Sequence, residues 1–374
     1  LKRTRILILY ASVGTGHKAA ALALAKAFAL RGADHVRCED ALDHASGIFR
    51  QIYAGSYLEL SEKMPAVWRY LYERTDKDEP ELSRHLRALI DRIGVTELTG
   101  IVRQYRPQAV ICTHFLPLSL LAREKRTGRS STPLYCVVTD YIGHVFWIEP
   151  QVDRYFVATA ETGQMLVQRG ALAERIEVTG IPVDPAIAHP KDPVTMRQIH
   201  DLKPSPVVIL MGGGLPVEYA ERIIHGLARR GFRGTLVVAA GRNSQLEARL
   251  RQGEIAGLAL SLRGYGFVEH LDDLIAASDL VITKAGGLIV SEVMARGTPM
   301  ILVNSTPGQE EWNADYAVSM GAGIQLYHLD MLPLAVETLL ANPARLAVQR
   351  AAAASAGRPG AALRVADAVL ALRD

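Results

Sequence analysis

Residues 279–313 read DLVITKAGGLIVSEVMARGTPMILVNSTPGQEEWN, and the order of residue types in this run decides the fold. An apolar, β-branched stretch (LVIT) ends in the Gly286-Gly287 pair. A helix-forming stretch follows (LIVSEVMARG), then a second apolar strand (PMILVN) and a polar loop. Strand, glycine turn, helix, strand is the signature of a parallel βαβ unit. The turn brings backbone N–H groups and the positive end of a helix dipole to Gly286 and Gly287, where a diphosphate fits. Glu292 lies about a turn and a half into the helix, a distance suited to a ribose. Gln309 and Glu310 follow the next strand and are placed to meet a sugar.

The same alternation extends in both directions. From Val207 the chain reads VVILMGGG, a helix over 217–230, TLVVAAGR, a helix over 244–253, LRGYGF and a short helix (LDDLIAAS) before the opening run. The N-terminal half begins RILILYA, continues into a helix closed by Gly32, and returns as HVRCEDAL. Four more strands follow: AVICTH, LYCVVTD, RYFVAT and RIEVTG. The expected fold is therefore α/β, with two doubly wound, Rossmann-like domains of similar size facing across a cleft. The boundaries fall at 1–185 for the first domain and 206–358 for the second. A Pro-dense linker covers 186–205, and 359–374 is one helix, a candidate to pack back on the first domain. Residues 46–100 interrupt the first series with a long helical insertion.

Composition narrows the function. With 374 residues and 49% hydrophobic content, the chain is long enough for two cores. A formal charge of +3 excludes a general nucleic-acid coat. Residues 1–150 hold 21 Lys/Arg against 16 Asp/Glu, an excess of 5, so the basic side of the molecule is its first half. Such a half suits an anionic membrane surface or simply a solvated one. Cys38, Cys112 and Cys136 show neither disulfide nor zinc spacing, and the last two sit in apolar strands as free thiols. The apolar run at the start is too short for a signal peptide, and no segment approaches the roughly 18 apolar residues of a spanning helix. The expected location is cytoplasmic, with any membrane contact peripheral.

Several motifs carry chemistry. Ser12-Val13-Gly14-Thr15-Gly16-His17 follows the first strand and opens a helix; its spacing is neither GxGxxG nor a Walker pattern. His17 there is either a general base or an ordinary histidine at a helix start. Met211-Gly212-Gly213-Gly214-Leu215 repeats the strand–glycine–helix device, a phosphate cradle or a tight turn. Gly266-Phe267-Val268 ends a strand where backbone groups can read a base edge, or where Phe267 simply packs. Lys284 precedes the Gly286 turn and either adds charge or faces solvent. Asp140 closes an apolar strand and either orients a histidine or a hydroxyl or caps a helix; His144 and Trp147 follow in a loop, where Trp147 either faces a lipid or sugar or is core. Asp76-Lys77-Asp78 spells DxD in a charged run and reads as a solvated turn. His17, His114 and His144 lack metal-ligand spacing, and no metal is expected. Ile48–Tyr72 is basic and aromatic, suited to a core-facing helix or a membrane interface.

Together, SVGTGHKAAA, VVTDYIGHVFWIEPQVDRYFVAT, VTGIPVDP, LMGGG and the run from Asp279 resemble glycosyltransferase family 28. The likeness is to its monogalactosyldiacylglycerol synthase and processive diacylglycerol glucosyltransferase branch, and it covers nearly the whole chain. The resemblance implies a GT-B fold with an acceptor- and membrane-side N-terminal domain and a UDP-sugar-binding C-terminal domain. It implies inverting transfer of a hexose from UDP-galactose or UDP-glucose to diacylglycerol, without cofactor or essential metal, at the inner face of the cell membrane. Carried over, His17 is the base, with Gly16, Asp140, His144 and Trp147 on the acceptor or lipid side. Phe267 and Val268 meet uracil, and Glu292 the ribose. Gly213, Gly214, Gly286 and Gly287 take the diphosphate, with Lys284 beside them, and Gln309 and Glu310 the hexose. The chain departs from the family at VGTGH, where plant enzymes carry a run of glycines, and at Asp184, where arginine is common. Rival readings are transfer to a polyprenyl-linked or sterol acceptor, a UDP-sugar epimerase, and a non-catalytic nucleotide-sugar sensor.

Overall fold

The computed structural model describes residues 4–45, 96–203, 205–251 and 260–372. The insertion expected over 46–100, but for its last residues, and the Asp76–Asp78 turn lie outside them. Contacts divide the chain into two units: Leu1–Ala186 with Thr306–Trp312 and Arg358–Asp374, and Ile187–Ser305 with Asn313–Gly357.

The first unit is built on six parallel strands, β1 (Arg5–Tyr10), β2 (His35–Asp40), β3 (Ala109–Cys112), β4 (Leu134–Val137), β5 (Arg154–Val157) and β6 (Ile176–Val178). Their order is β2-β1-β3-β4-β5-β6. Helices α1 (Gly16–Leu30), α2 (Thr96–Tyr105), α3 (Phe115–Arg126) and α4 (Ala160–Gln168) connect them. Strands covered on both faces need no polar alternation, which is why RILILY and AVIC read as continuous apolar runs. One face packs Ile6, Ile8 and Ile111 against Leu24 and Phe28 of α1. The C-terminal helix, which becomes α13 in chain order, spans Ala361–Ala371 and lays Ala362, Val365, Ala366 and Val369 into the same core. Arg31 of α1 pairs with its Asp367.

The second unit repeats the design with β7 (Val207–Met211), β8 (Thr235–Ala239), β9 (Ser261–Tyr265), β10 (Leu280–Thr283), β11 (Met300–Val303) and β12 (Gly323–Leu326), in the order β12-β11-β10-β7-β8-β9. Its helices are α5 (Pro193–Ile199), α6 (Val217–Arg229), α7 (Ser244–Arg251), α8 (Leu271–Ala277), α9 (Gly287–Ala295), α11 (Leu332–Leu340) and α12 (Pro343–Ala356). Helix α10 (Gln309–Ser319) joins β11 to β12. Helix α12 packs against α9 at close range. A Cβ on Gly357 would stand 2.4 Å from the Met294 carbonyl oxygen, so only glycine fits there.

In both sheets the chain starts in the middle and builds outward in two directions. The reversal falls between β1 and β3 in one unit and between β7 and β10 in the other. Loops leaving the carboxyl ends of such a strand pair diverge and leave a crevice, where ligands of open α/β sheets bind.

Candidate active site

In the first unit the reversal point holds His17. It sits in the first turn of α1, just past the loop from Ser12 to Thr15. Asp40, at the tip of β2, anchors that loop by accepting from the Ser12 hydroxyl, the Ser12 N–H at 3.2 Å and the Leu42 N–H at 3.0 Å. Gly14, at φ 83°, makes the left-handed turn that the loop requires.

The His17 ring is fixed from the other side of the reversal. Its Nδ1 lies 2.8 Å from the main-chain oxygen of Thr113, the residue after β3, and 2.9 Å from the Thr139 hydroxyl after β4. The Thr113 hydroxyl donates to the His17 carbonyl at 2.9 Å. A carbonyl oxygen only accepts, so Nδ1 carries the hydrogen and the lone pair is on Nε2. His114 meets the ring edge-on at 4.5 Å between centroids, and Trp147 stands at 6.3 Å. Burial in this setting pushes the His17 pKa down to about 4, against a smaller opposing effect of the Thr113 hydrogen bond. His114 is held well below its usual value by burial and by His17. The result is a neutral imidazole with a defined tautomer at neutral pH.

Around it lies a run of rings. His114 stacks on Phe115 at 4.4 Å, and Phe115 is 5.3 Å from Phe146, which is 4.4 Å from His144. Trp147 is 3% exposed and belongs to the core, so it does not face solvent as a lipid contact would. His144 is also buried, and its Nδ1 accepts from the Phe146 N–H, fixing the single turn Val145–Trp147. Asp140 is buried directly after β4.

In the second unit the reversal brings two glycine turns together. Gly212–Gly214 forms one tight turn after β7, and a Cβ on Gly214 would lie 3.5 Å from the Lys284 side chain, which leaves β10. The Lys284 side chain therefore lies along the turn. Gly213 approaches the Ala240–Gly241 backbone so closely that a Cβ would stand 3.2 Å from the Ala240 oxygen. Asn243 ties the loop after β8 to this turn, donating from Nδ2 to the Leu215 carbonyl at 3.0 Å. Gly286 caps α9, whose first residue is Gly287, so the N–H groups of that helix end open beside Lys284. Glu292 is half-buried on α9. The loop after β9 is held through the Gly266 carbonyl, which accepts from Gly241 N–H, and it leaves Phe267 67% exposed. The packing role for Phe267 is thereby overturned.

Gln309 and Glu310 open α10, in the segment that groups with the first unit. The Glu310 carboxylate accepts from the Thr306 N–H at 2.6 Å, and Glu311 accepts from Gly308 at 3.1 Å, so this acidic pair shapes the Thr306–Gly308 turn. Asp184 is engaged by Lys26 and by the Ala186 N–H. Among the described residues, no three His, Cys, Asp or Glu side chains cluster as metal ligands. Cys112 and Cys136 are buried free thiols, opposite each other in the β3–β4 ladder. Thr113, Thr139 and Asn243 orient the site and were not identified as its parts by motif. Each stands within four residues past a strand's carboxyl end, and that position is the one signal that points to them.

Two Rossmann-like parallel sheets in one chain, one carrying a neutral histidine and the other two glycine turns at its reversal point, define the GT-B fold. Solved structures of similar fold include MurG of Acinetobacter baumannii (TM-score 0.62, 16% identity, 98% of this chain and 99% of that one). HepE of Anabaena in complex with UDP-glucose superposes with TM-score 0.58 at 16% identity, over 98% and 99% of the chains. UDP-GlcNAc 2-epimerase of Neisseria meningitidis, bound to UDP-GlcNAc, does so with TM-score 0.61 at 14% identity, over 98% and 100%. Sequence resolves what the fold leaves open. Residues 17–183 match the monogalactosyldiacylglycerol (MGDG) synthase family, and residues 207–365 match the glycosyltransferase family 28 C-terminal domain. The chain belongs to the family 28 glycosyltransferases, with an N-terminal half of the MGDG synthase type. It is similar to the processive diacylglycerol beta-glucosyltransferases of Bacillus mycoides (28% identity, 99% of this chain, 94% of that one) and Bacillus subtilis (28%, 90% and 87%).

Proposed function

We propose that this glycosyltransferase moves a hexose, glucose or galactose, from a UDP-sugar to diacylglycerol, with inversion at the anomeric carbon and no cofactor or essential metal. The observation that carries the reading is the His17 ring, held neutral with Nε2 presented as the acceptor atom. In a single displacement the acceptor hydroxyl gives its proton to Nε2 while its oxygen bonds to the anomeric carbon. The bond from that carbon to the phosphate oxygen breaks, and UDP leaves with the electron pair. Positioned proton transfer of this kind contributes about 10²–10⁴-fold. The N–H groups at Gly286 and Gly287, the Gly213-Gly214 turn and the Lys284 ammonium meet the charge that builds on the departing diphosphate. Glu292 takes the ribose hydroxyls, backbone at Phe267 and Val268 the uracil edge, and Gln309 with the remaining capacity of Glu310 the hexose.

The names of the Bacillus relatives support diacylglycerol and glucose, while that of the N-terminal family supports galactose. Among the described residues no helix is long and apolar enough to cross a membrane. A lipid acceptor is then met from the surface, at an anionic inner leaflet of the cell membrane. The test is incubation with UDP-glucose and UDP-galactose separately, on vesicles holding diacylglycerol and an anionic lipid, followed by identification of the glycolipid. Hexose on a different lipid, or epimerised UDP-sugar with no transfer, overturns the acceptor or the reaction respectively. Full turnover by a folded His17→Ala enzyme removes the base.

A further inference from the structure

We propose that Ser305 is a donor-specificity residue that hydrogen-bonds a hydroxyl of the hexose; this rests on the UDP-sugar reading and deepens it. Ser305 follows β11, and its hydroxyl oxygen is buried with no hydrogen-bond partner. A buried hydroxyl left unpaired carries its desolvation cost with no return, and natural proteins keep few of them. The residue as a whole is half-buried, not sealed in the core, so rotation about its Cα–Cβ bond delivers the hydroxyl to a ligand.

The backbone places it where a hexose belongs. In the β10–β11 ladder Thr283 stands beside Leu302. Ser305 and Gly286, the cap of the proposed diphosphate helix, thus each lie three residues past this last pair, in the loops that leave the carboxyl ends of two neighbouring strands. Asn304, at φ 48°, is left-handed and turns the chain off the strand line at this point. The layout across the sheet agrees. Phe267 and Val268, proposed for the base, leave β9, and the two glycine turns leave β7 and β10. Beyond β10, at a spacing of about 5 Å, comes β11. A UDP-hexose with its base toward β9 and its phosphates at β7 and β10 carries its sugar to the tip of β11, where Ser305 stands.

The test separates hexose recognition from nucleotide recognition and from folding. Ser305→Ala is compared with wild type by calorimetric titration with UDP, UDP-glucose and UDP-galactose, and by thermal unfolding without ligand. The expected result is unchanged UDP affinity, a loss of about five- to ten-fold for the UDP-hexose that serves as donor, as one neutral hydrogen bond gives, and a melting temperature equal to wild type or higher. Equal loss for UDP and UDP-hexose, unchanged UDP-hexose affinity, or a lowered melting temperature each overturns the assignment. If wild type binds neither UDP nor UDP-hexose, the donor reading itself fails, a result distinct from a variant that merely matches wild type.

Discussion

The acid limb of the rate profile tests the His17 assignment most directly. An ordinary histidine titrates near 6.5, whereas burial has pushed this one down to about 4. At pH 5.5 the ordinary group is about 9% neutral and His17 about 97% neutral, from those two values. If neutral His17 is the base, kcat/KM for the acceptor at pH 5.5 stays within about a tenth of its value at pH 7.5. An unburied base would lose about ten-fold over the same interval. His114, the ring nearest His17, is also held well below its usual value, and the donor's diphosphate diester does not titrate in this window. The assay is hexose transfer on vesicles whose headgroups keep their charge from pH 4 to 8. His17→Gln should lower the rate about 10²–10⁴-fold and abolish the limb near pH 4. Stability follows with a defined sign. Between pH 6.5 and about 4 the unfolded chain binds a proton at this position and the folded chain does not, so stability falls as pH falls through that window. The glutamine variant should be less acid-sensitive there. A limb centred near 6.5 in wild type, removed by His17→Gln, would refute the buried-neutral account while keeping the base. A limb untouched by the substitution would refute the base.

Three further outcomes follow from the packing. Lys284→Met should weaken UDP binding about ten-fold or more, because a charge-assisted contact to phosphate contributes about 1.5–3 kcal/mol; isothermal titration with UDP reads this directly. Gly357→Ala forces a Cβ to 2.4 Å from the Met294 carbonyl and 2.7 Å from its carbon, both backbone atoms that cannot swing aside. The cost is about 1–3 kcal/mol or more, and a melting temperature equal to wild type would show that the α9–α12 contact is loose. Trp147→Ala should destabilise the protein by about 3–5 kcal/mol, as loss of a buried aromatic does. A fully stable variant with selectively poor lipid affinity would return Trp147 to the membrane.

The inner strands were legible because they are covered on both faces, so β1, β3, β4, β7, β8, β10 and β11 are short, largely apolar runs. The glycine turns were legible for a related reason: strand, glycine and helix recur in one local window. Thr113 and Thr139 were not. They lie 96 and 122 residues from His17, and only the strand order β1-β3-β4 brings them to its Nδ1. Nothing local encodes that order. Trp147 shows the same limit, since an aromatic in a polar loop reads alike whether it turns inward or outward. Glu310 is the opposite case. Its bond to Thr306 spans four residues and follows the acidic pattern of a helix start, so its work on the turn is encoded locally.

The two reversal points solve opposite electrostatic problems with one topology. Parallel strands expose, at their carboxyl ends, helix N-termini that favour negative charge and disfavour a cation. At β7 and β10 the sequence accepts this field, with glycine turns that leave the backbone uncovered by side chains and a lysine alongside, as the proposed diphosphate grip requires. At β1 and β3 the same field, joined to burial, would oppose a protonated imidazole. The sequence keeps that opposition: burial holds His17 neutral, and the partner on Nδ1 is a carbonyl, which offsets burial only in small part, rather than a carboxylate. A carboxylate there would favour the imidazolium and move the acid limb toward neutrality. Thr113 supplies a main-chain oxygen that no side-chain substitution removes, whereas the Thr139 hydroxyl can be changed. Thr139→Asp therefore puts a charge where the fold has avoided one. The expected outcome is an acid limb shifted upward from about 4 with wild-type UDP affinity, because the donor grip is built from the other sheet. A limb left in place would show that burial alone, and not the choice of partner on Nδ1, sets the protonation state of His17.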